Sequence, residues 1–588
     1  MRDDKQTVNP LKELFRHCRR YIPAILVSLL LGGAGAVFSV IGPDKIADMV
    51  KVIEEGLGSA IDLQEIGRIG IFLAVLYGLG WIFSYGQNFI LTTVTQRMSQ
   101  SLRTEITQKI NRMPLRYFDS TSFGDILSRL TNDVDTIGQM LGSGMGTLVS
   151  SVTLLIGALV MMFATNALLA SSAILASLVG FALMILIAAK SQKYFLAQQQ
   201  ALGKINGFIE ESFSGQQIIR VYNGEASYQK TFDEINAGLY DSAWKSRFLS
   251  GMMMPIMGLV GNLGYVVVCV LGAVMVAKGT IAFSVIVSFM LYIRLFTQPL
   301  SQVAQVFTSL QPAVAASTRV FEFLHEEELE DERDKTKCLQ SVQGNVEFDH
   351  VRFGYRPEKT VIHDFSVKIR AGQKVAIVGH TGAGKTTMVN LLMRFYEADG
   401  GTIRIDGIPI KDMKRENVRS LFCMVLQDTW IFEGTLRENL AYCKEGVTDA
   451  QLDRVCCAVG LTHYVKTLPN GYDTVLNEHT SLSAEQRQLV TIARAMIEDA
   501  PLLILDEATS SVDTKTELAV QDAMNKLMDG RTSFVIAHRL STVRNADLIL
   551  VMKEGDIVES GNHAELLSRN GIYADIYNSQ FEHGAAES

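Results

Sequence analysis

Charge is what long stretches of this sequence lack. None falls between Arg20 and Asp44, or from Thr136 to Ala189, and between Lys278 and Arg319 only Arg294 interrupts the run. A membrane-spanning helix needs about 20 apolar residues, so gaps of this length exclude a wholly soluble chain. A basic excess is missing too. The 54 Lys and Arg are outnumbered by 62 Asp and Glu, the net charge is −8, and no basic–aromatic patch stands out. That excludes a nucleic-acid partner. Of the 7 cysteines, Cys269 lies in an apolar run, and Cys456 and Cys457 are adjacent with no His or Cys partners at metal-ligand spacing. Reduced structural thiols are expected.

What is present divides the 588 residues into a membrane half and a half of ordinary soluble composition. Six spans are expected, at about 21–42, 69–94, 139–163, 168–189, 249–277 and 280–312, with "FATNA" (163–167) as the turn inside the longest uncharged run. The first span is too long for a cleavable signal peptide and lacks a small-residue cleavage site. Basic residues mark the cytoplasmic side. They crowd the N-terminus (Lys12, Arg16, Arg19, Arg20) and the loops 95–136 and 190–248, whereas 43–67 is mostly acidic. Both termini and both long loops are therefore expected in the cytoplasm, and the protein in the cytoplasmic membrane.

"HEEELEDERDKTK" (325–337) reads as a charged, solvated linker. From Gly344 the periodicity changes. "NVEFDHVRFGY" alternates like a half-buried antiparallel strand, while "KVAIVG", "LLILD" and "TSFVIAH" are short apolar runs typical of buried parallel strands. An α/β domain is expected, with ligands at the carboxyl ends of its strands. The long cytoplasmic loops read as helical extensions of the spans, punctuated in 113–135 by Pro114 and Gly124.

"GHTGAGKTT" (379–387) follows one such strand and opens a helix, the context a phosphate-binding loop requires. Gly379, Gly382 and Gly384 let the backbone wrap phosphates, with His380, Thr381 and Ala383 supplying N–H groups between them, and a helix N-terminus completes the anion site. Lys385 would reach the outer phosphates and Thr386, followed by Thr387, would ligate Mg²⁺. In "LLILDEATSSVD" (502–513) Asp506 ends a strand where it can hold Mg²⁺, and Glu507 is the candidate to polarise an attacking water. His538, in "VIAHRLST", ends another strand and is a candidate contact to the terminal phosphate.

This order of elements resembles an ATP-binding cassette exporter over essentially the whole chain. The resemblance implies a multi-domain membrane protein in which a six-helix transmembrane domain is fused to a C-terminal α/β P-loop nucleotide-binding domain with a helical subdomain. The boundaries expected are an elbow region at 1–20, the transmembrane domain at 21–320, the linker at 321–343 and the nucleotide-binding domain at 344–588. It also implies roles for single residues. Tyr355 resembles the aromatic that stacks on adenine, a contact worth roughly 1–3 kcal/mol in related systems. Gln427 resembles the glutamine that touches Mg²⁺ and water, Asp513 the aspartate linking two ATP sites, and Glu478 the glutamate that meets the membrane loops. Pro114–Asp119 and Tyr222–Phe232 look like two coupling helices, and "NPLKELFRHCRR" like the interfacial elbow.

One stretch departs from the family. Where the pattern is Leu-Ser-Gly-Gly-Gln, this chain has Leu482, Ser483, Ala484, Glu485 and Gln486. In the family this signature completes the ATP site of the opposite subunit, its serine and second-glycine N–H meeting the γ-phosphate. A side chain where the backbone must approach closely is a steric problem. A carboxylate there is also an electrostatic one, about 4 kcal/mol for unit charges about 4 Å apart at an effective dielectric of about 20. An intact catalytic set beside an altered signature implies one subunit of a heterodimeric exporter with one degenerate site. A homodimer with a weakened signature, or a gating subunit with little turnover, are the alternatives. The other partners implied are membrane lipid and a hydrophobic or amphipathic small substrate. Arg294 stands about 14 residues into the sixth span, roughly 21 Å along it. It either lines the translocation cavity or pairs with a neighbouring span.

Overall fold

The structure is a computed structural model that describes residues 10–57, 60–339, 341–426, 429–476, 482–506, 514–536 and 543–585. Two compact units emerge, one of residues 1–111 and 123–326, the other of 112–122 and 327–588.

The first unit is all helix. A short amphipathic α1 (Pro10–Cys18) precedes α2 (Ile22–Gly56) and α3 (Leu63–Arg112). In the second unit lies α4 (Leu115–Ser120). Back in the first, α5 (Phe123–Ser128), α6 (Val134–Gln139) and α7 (Met145–Thr165) form one run joined by π-turns at Arg129–Asp133 and Met140–Gly144. Then follow α8 (Ala167–Ser214), α9 (Gln216–Val221), α10 (Glu225–Gly251), α11 (Met253–Ala277) and α12 (Phe283–His325). Among the described residues six helices are long and apolar enough to cross a membrane, as the charge-free runs require. The expected turn near 163–167 is set by Asn166. Its side chain accepts from the N–H groups of Leu168 and Leu169 and so caps α8.

Helix α12 is the most buried of the six. Half of its apolar window is buried, against 11% for α3. Polar ties hold it to its neighbours, within the span and beyond it. Ser151 donates to Gln302 at 2.7 Å, and the Arg319 guanidinium forks onto Asp133, its Nε at 2.9 Å. Asp133 closes the first π-turn, and the extra residue of that turn re-aims the helix face so that the carboxylate meets Arg319.

Several expectations are corrected. The acidic loop 43–67 is helical as far as Gly56 despite Pro43, and helical again from Leu63. Gly124 does not punctuate a helix but lies in the first turn of α5, and the break falls at Thr121 and Ser122. The short helix of the second long loop is Gln216–Val221, ahead of the expected 222–232, whose residues from Glu225 begin the long α10. Residues 321–325 end α12, with Phe321 and Phe323 buried, so the linker is shorter than 321–343. Nor is it solvated throughout. Glu332 binds Arg394 at 2.7 Å, Arg415 at 2.9 Å and Lys335 at 2.9 Å, and accepts from the Arg415 N–H at 2.6 Å. Burial alone would push its carboxyl up, but these donors hold it below the usual range.

The second unit is α/β. An antiparallel sheet, in order β2-β1-β4-β5, is built from β1 (Val346–Phe353), β2 (Ile362–Ile369), β4 (Gly400–Ile405) and β5 (Ile408–Pro409). A six-stranded sheet, in order β12-β11-β3-β10-β9-β6, holds β3 (Lys374–Val378), β6 (Phe422–Val425), β9 (Leu502–Asp506), β10 (Thr532–Ile536), β11 (Leu548–Lys553) and β12 (Asp556–Gly561). Strands β3, β10 and β9 are parallel neighbours and almost wholly buried, as their unbroken apolar runs predict. Between them come α13 (Lys385–Leu392), α14 (Arg415–Arg419) and a helical subdomain. That subdomain has β7 (Gly434–Thr435), α15 (Leu436–Ala441), α16 (Asp449–Val459), α17 (Thr462–Thr467), β8 (Val475–Leu476) and α18 (Ala484–Glu498). Helices α19 (Thr514–Met528), α20 (His563–Ser568) and α21 (Ile572–Ala585) complete the unit.

Candidate functional site: a phosphate cradle at the end of β3

Strand β3 lies between β11 and β10, so the loop after it emerges at the carboxyl edge of the sheet. That loop turns into α13 at Lys385, and two positions explain its glycines. Gly382 and Gly384 have φ of 84° and 98°, the left-handed region where a side chain is strained. A Cβ on Gly384 would also come within 2.9 Å of the Ile362 Cδ1. The backbone N–H groups and the first turn of α13 thus face one cleft.

That cleft has a volume of 370 Å³ and is lined by Val361, the loop residues Thr381 to Thr387, Asp506 and Ile536. Lys385 is 7% exposed; its Nζ donates to the carbonyls of Gly379 at 2.6 Å and His380 at 3.2 Å. Burial lowers the lysine's pKa, opposed by the nearby Asp506 carboxylate. A cation folded onto its own loop's carbonyls, with an acid at the next strand end, is what an outer phosphate would draw forward. Thr386 is exposed in the first turn of α13, and it and Asp506 line the same cleft. An all-oxygen donor pair suits Mg²⁺.

Tyr355 stands beside the loop. Its hydroxyl donates to the Thr387 Oγ1 at 3.2 Å and accepts from Asn390 at 3.3 Å. Its ring meets Phe353 and Tyr396 edge to face, with centroids 5.0 and 5.1 Å apart. Asn390 was not picked out in the sequence, although its i+3 spacing from Thr387 puts the two on one face of α13. Nothing in "RFYEAD" (394–399) marks Tyr396 over its neighbour Phe395.

The altered signature begins α18. Leu482 is buried. Ser483 is the N-cap, its hydroxyl accepting from the Gln486 N–H at 3.1 Å while the Gln486 side chain accepts from the Ser483 N–H at 3.0 Å. This reciprocal capping box uses two of the three residues that match the family pattern. Ala484 is exposed and Glu485 half-buried in the first turn. None of the five lines the phosphate cleft. Gln427, Glu478, Glu507, Asp513 and His538 lie outside the described residues.

Arg294 is exposed on α12, 11 residues after its start at Phe283, and among the described residues it has no ion-pair partner in a neighbouring span.

A phosphate cradle of this build, at the end of a parallel strand in a unit that follows six apolar helices, defines an ATP-driven membrane transporter. Comparison with known proteins agrees. Residues 22–300 match the ABC transporter transmembrane region and 362–510 the ABC transporter domain. The fatty acid ABC transporter ATP-binding/permease protein of Mycobacterium bovis is 42% identical over 533 residues, spanning 90% of this chain and 84% of that protein. The ATP-dependent lipid A-core flippase of Syntrophus aciditrophicus is 32% identical over 582 residues, 99% of this chain and 96% of that one. Among solved structures, a bacterial Atm1-family ABC exporter with ATP bound superposes with a TM-score of 0.73 at 26% identity, covering 96% of this chain and 98% of that one. The chain belongs to the ABC transporter family, as an exporter-type half-transporter that carries its own transmembrane and ATP-binding domains. It is a multi-pass membrane protein and an ATPase coupled to transport, of a family that works as dimers.

Proposed function

We propose that this chain is one half of an exporter that moves an acidic amphipath out across the cytoplasmic membrane, and that its partner is a different half-transporter. The observation that carries the reading is the pairing of a complete phosphate cradle, Gly379 to Thr387 with Asp506, with the acidic start of α18 at Glu485. Tyr355 stacks on the adenine, the loop N–H groups and Lys385 hold the phosphates, and Glu507 orients the attacking water, assisted by Gln427 and His538. Thr386, Asp506 and Gln427 would hold Mg²⁺, which would supply positive charge against the phosphates. Asp513 links the two ATP sites. The partner supplies an unaltered signature to this chain's ATP, and Ser483 to Gln486 of this chain face the partner's degenerate site. Helices α4 and α9 pass the movement to spans whose long loops, with both termini, lie in the cytoplasm.

The substrate class rests on α12. Its exposed face carries Met290, Arg294, Gln298, Gln305, Thr308 and Ser309, whereas α3 exposes Phe72, Val75, Trp81, Ile82, Tyr85 and Phe89. An apolar face suits lipid and a polar one suits a water-filled path. Arg294, about 16 Å along α12 at 1.5 Å per residue, offers a fixed cation inside it. The name of the Mycobacterium relative, a fatty acid transporter, favours a carboxylate-bearing amphipath as the ligand. Neutralising Arg294 in Arg294→Gln should abolish the stimulation of ATPase by a long-chain fatty acid without changing the basal rate. Unchanged stimulation would remove the acid from the proposal.

The first test of the whole is the Mg²⁺-ATPase of this chain alone in nanodiscs, with Glu507→Gln as control. Activity near background that rises in the Ala484→Gly, Glu485→Gly double variant identifies the signature as the defect and a second subunit as missing. Strong activity abolished by the control means that a homodimer suffices. Glu507→Gln that leaves ion conduction intact would instead favour a gated channel.

A further inference from the structure

Two rings and one carboxylate connect the nucleotide seat to α4. Tyr355 packs edge to face on Tyr396 at 5.1 Å and 86°. The Tyr396 hydroxyl donates to Asp119 at 2.5 Å, the length of a charge-assisted O–H···O⁻ bond, and burial followed by Asp119 raises the phenol's pKa. Asp119 is the fifth residue of α4, whose chain is anchored nearby. The Leu329 N–H donates to the Arg112 carbonyl at 2.9 Å. A cleft of 260 Å³ lies under these groups, lined among others by Pro114, Arg116, Leu329, Tyr355 and Tyr396.

Tyr396 is held in place from behind. Arg394, two residues earlier, is 2% exposed and adopts a left-handed φ of 53°, a conformation that needs support in a residue with a long side chain. The support is a ring of bonds: Glu332 at 2.7 Å, Glu397 at 2.9 Å and the Met413 carbonyl at 2.7 Å. With its backbone fixed and its ring wedged between Phe353 and Tyr355, Tyr396 has one soft connection, the bond to Asp119.

We infer that Tyr396 is a positioning residue that carries the state of the Tyr355 seat to α4. A base stacked on Tyr355 loads the Tyr396 ring, and the hydroxyl passes that load to Asp119. Phosphates bound at the loop without a base leave Tyr396 and α4 as they are. The inference rests on the proposed reading of Tyr355 as the adenine seat and of α4 as a coupling helix, and it adds the base-dependent link between them.

The test uses the full-length protein in nanodiscs and reads amide hydrogen exchange of residues 113–121, with ATP or with tripolyphosphate, which lacks base and sugar. In the unaltered protein ATP should slow exchange there and tripolyphosphate should not. Tyr396→Phe keeps the ring and removes the hydroxyl. It should bind ATP within about twofold of the unaltered protein yet lose the ATP-dependent change. Asp119→Asn should lose it too, and the double variant should lose no more, as expected of two groups in one interaction. Tyr355→Ala separates the two ideas. It should weaken ATP roughly 5- to 150-fold, the range for one lost base stack. If it does not, the adenine seat is wrong and the link falls with it. If it does, but Tyr396→Phe still shows the full exchange response, the seat stands and the link alone is overturned. A response to tripolyphosphate equal to that with ATP would overturn the link as well.

Discussion

Two helices of the second unit begin where the family pattern has glycines, and they are built to opposite effect. Helix α13 starts after a loop whose φ values only glycine tolerates well, and its first residue, Lys385, adds a positive charge to the positive end of the helix dipole. Helix α18 starts with Ser483 and Gln486 bonded to each other's backbone, and its first turn carries the negative charge of Glu485. The first is an anion cradle left open. The second satisfies itself. A carboxylate in the first turn stabilises its own helix by about 0.3–1 kcal/mol, while the repulsion it would exert on a phosphate about 4 Å away is nearer 4 kcal/mol at an effective dielectric of about 20. The substitution therefore suits the helix on its own and opposes an anion brought to it.

The contrast is open to experiment. Lys385→Ala strips the cradle of its cation and should lower ATP turnover at least about 10²-fold, the scale for losing one preorganised charge-stabilising group. Retention of turnover would mean that the cradle is not the hydrolytic site. Restoring the family pattern with Ala484→Gly and Glu485→Gly should raise turnover of this chain alone by about 10- to 100-fold, and no rise would make α18 equivalent to an ordinary signature. Ser483→Ala sharpens the comparison at its smaller end. Loss of the cap should cost about 1 kcal/mol of stability, read as a lower Tm, whereas loss of turnover with no change in Tm would show the serine serving a ligand and not its helix. The last test is of pH. Because burial lowers the Lys385 pKa, the unfolded chain binds more protons than the folded one between that depressed value and the ordinary lysine value. Stability without nucleotide should therefore rise with pH across this window. ATP phosphates favour the charged lysine, so nucleotide binding should take up a proton there and weaken as pH rises, measurable by titration calorimetry in buffers of different ionisation enthalpy.

Much of this was legible in the residues. Uncharged runs longer than a bilayer needs can only be spans, and a glycine loop between a buried strand and a helix reads as a phosphate site because few other uses require that spacing. The packing of the linker is not legible there, for an equally physical reason. "EEELEDERDK" has the composition of a solvated run, and nothing local says that Glu332 will find two arginines, Arg394 and Arg415, from distant parts of the chain. The second short helix lies earlier than its sequence suggests, because Tyr222, Asn223 and Gly224 form the bend that follows it, not its start.

Sequence alone thus determined what depends on neighbours along the chain: the number of spans, the strand-loop-helix of the cradle, and the acid in the signature. Tertiary structure decided what depends on neighbours in space. It set Lys385 against its own loop's carbonyls with Asp506 nearby, left Arg294 on the polar face of α12, and joined Tyr355, Tyr396 and Asp119. Hydrogen bonds and ring contacts between residues far apart in the chain leave no periodicity to read, because their geometry exists only once both elements have folded.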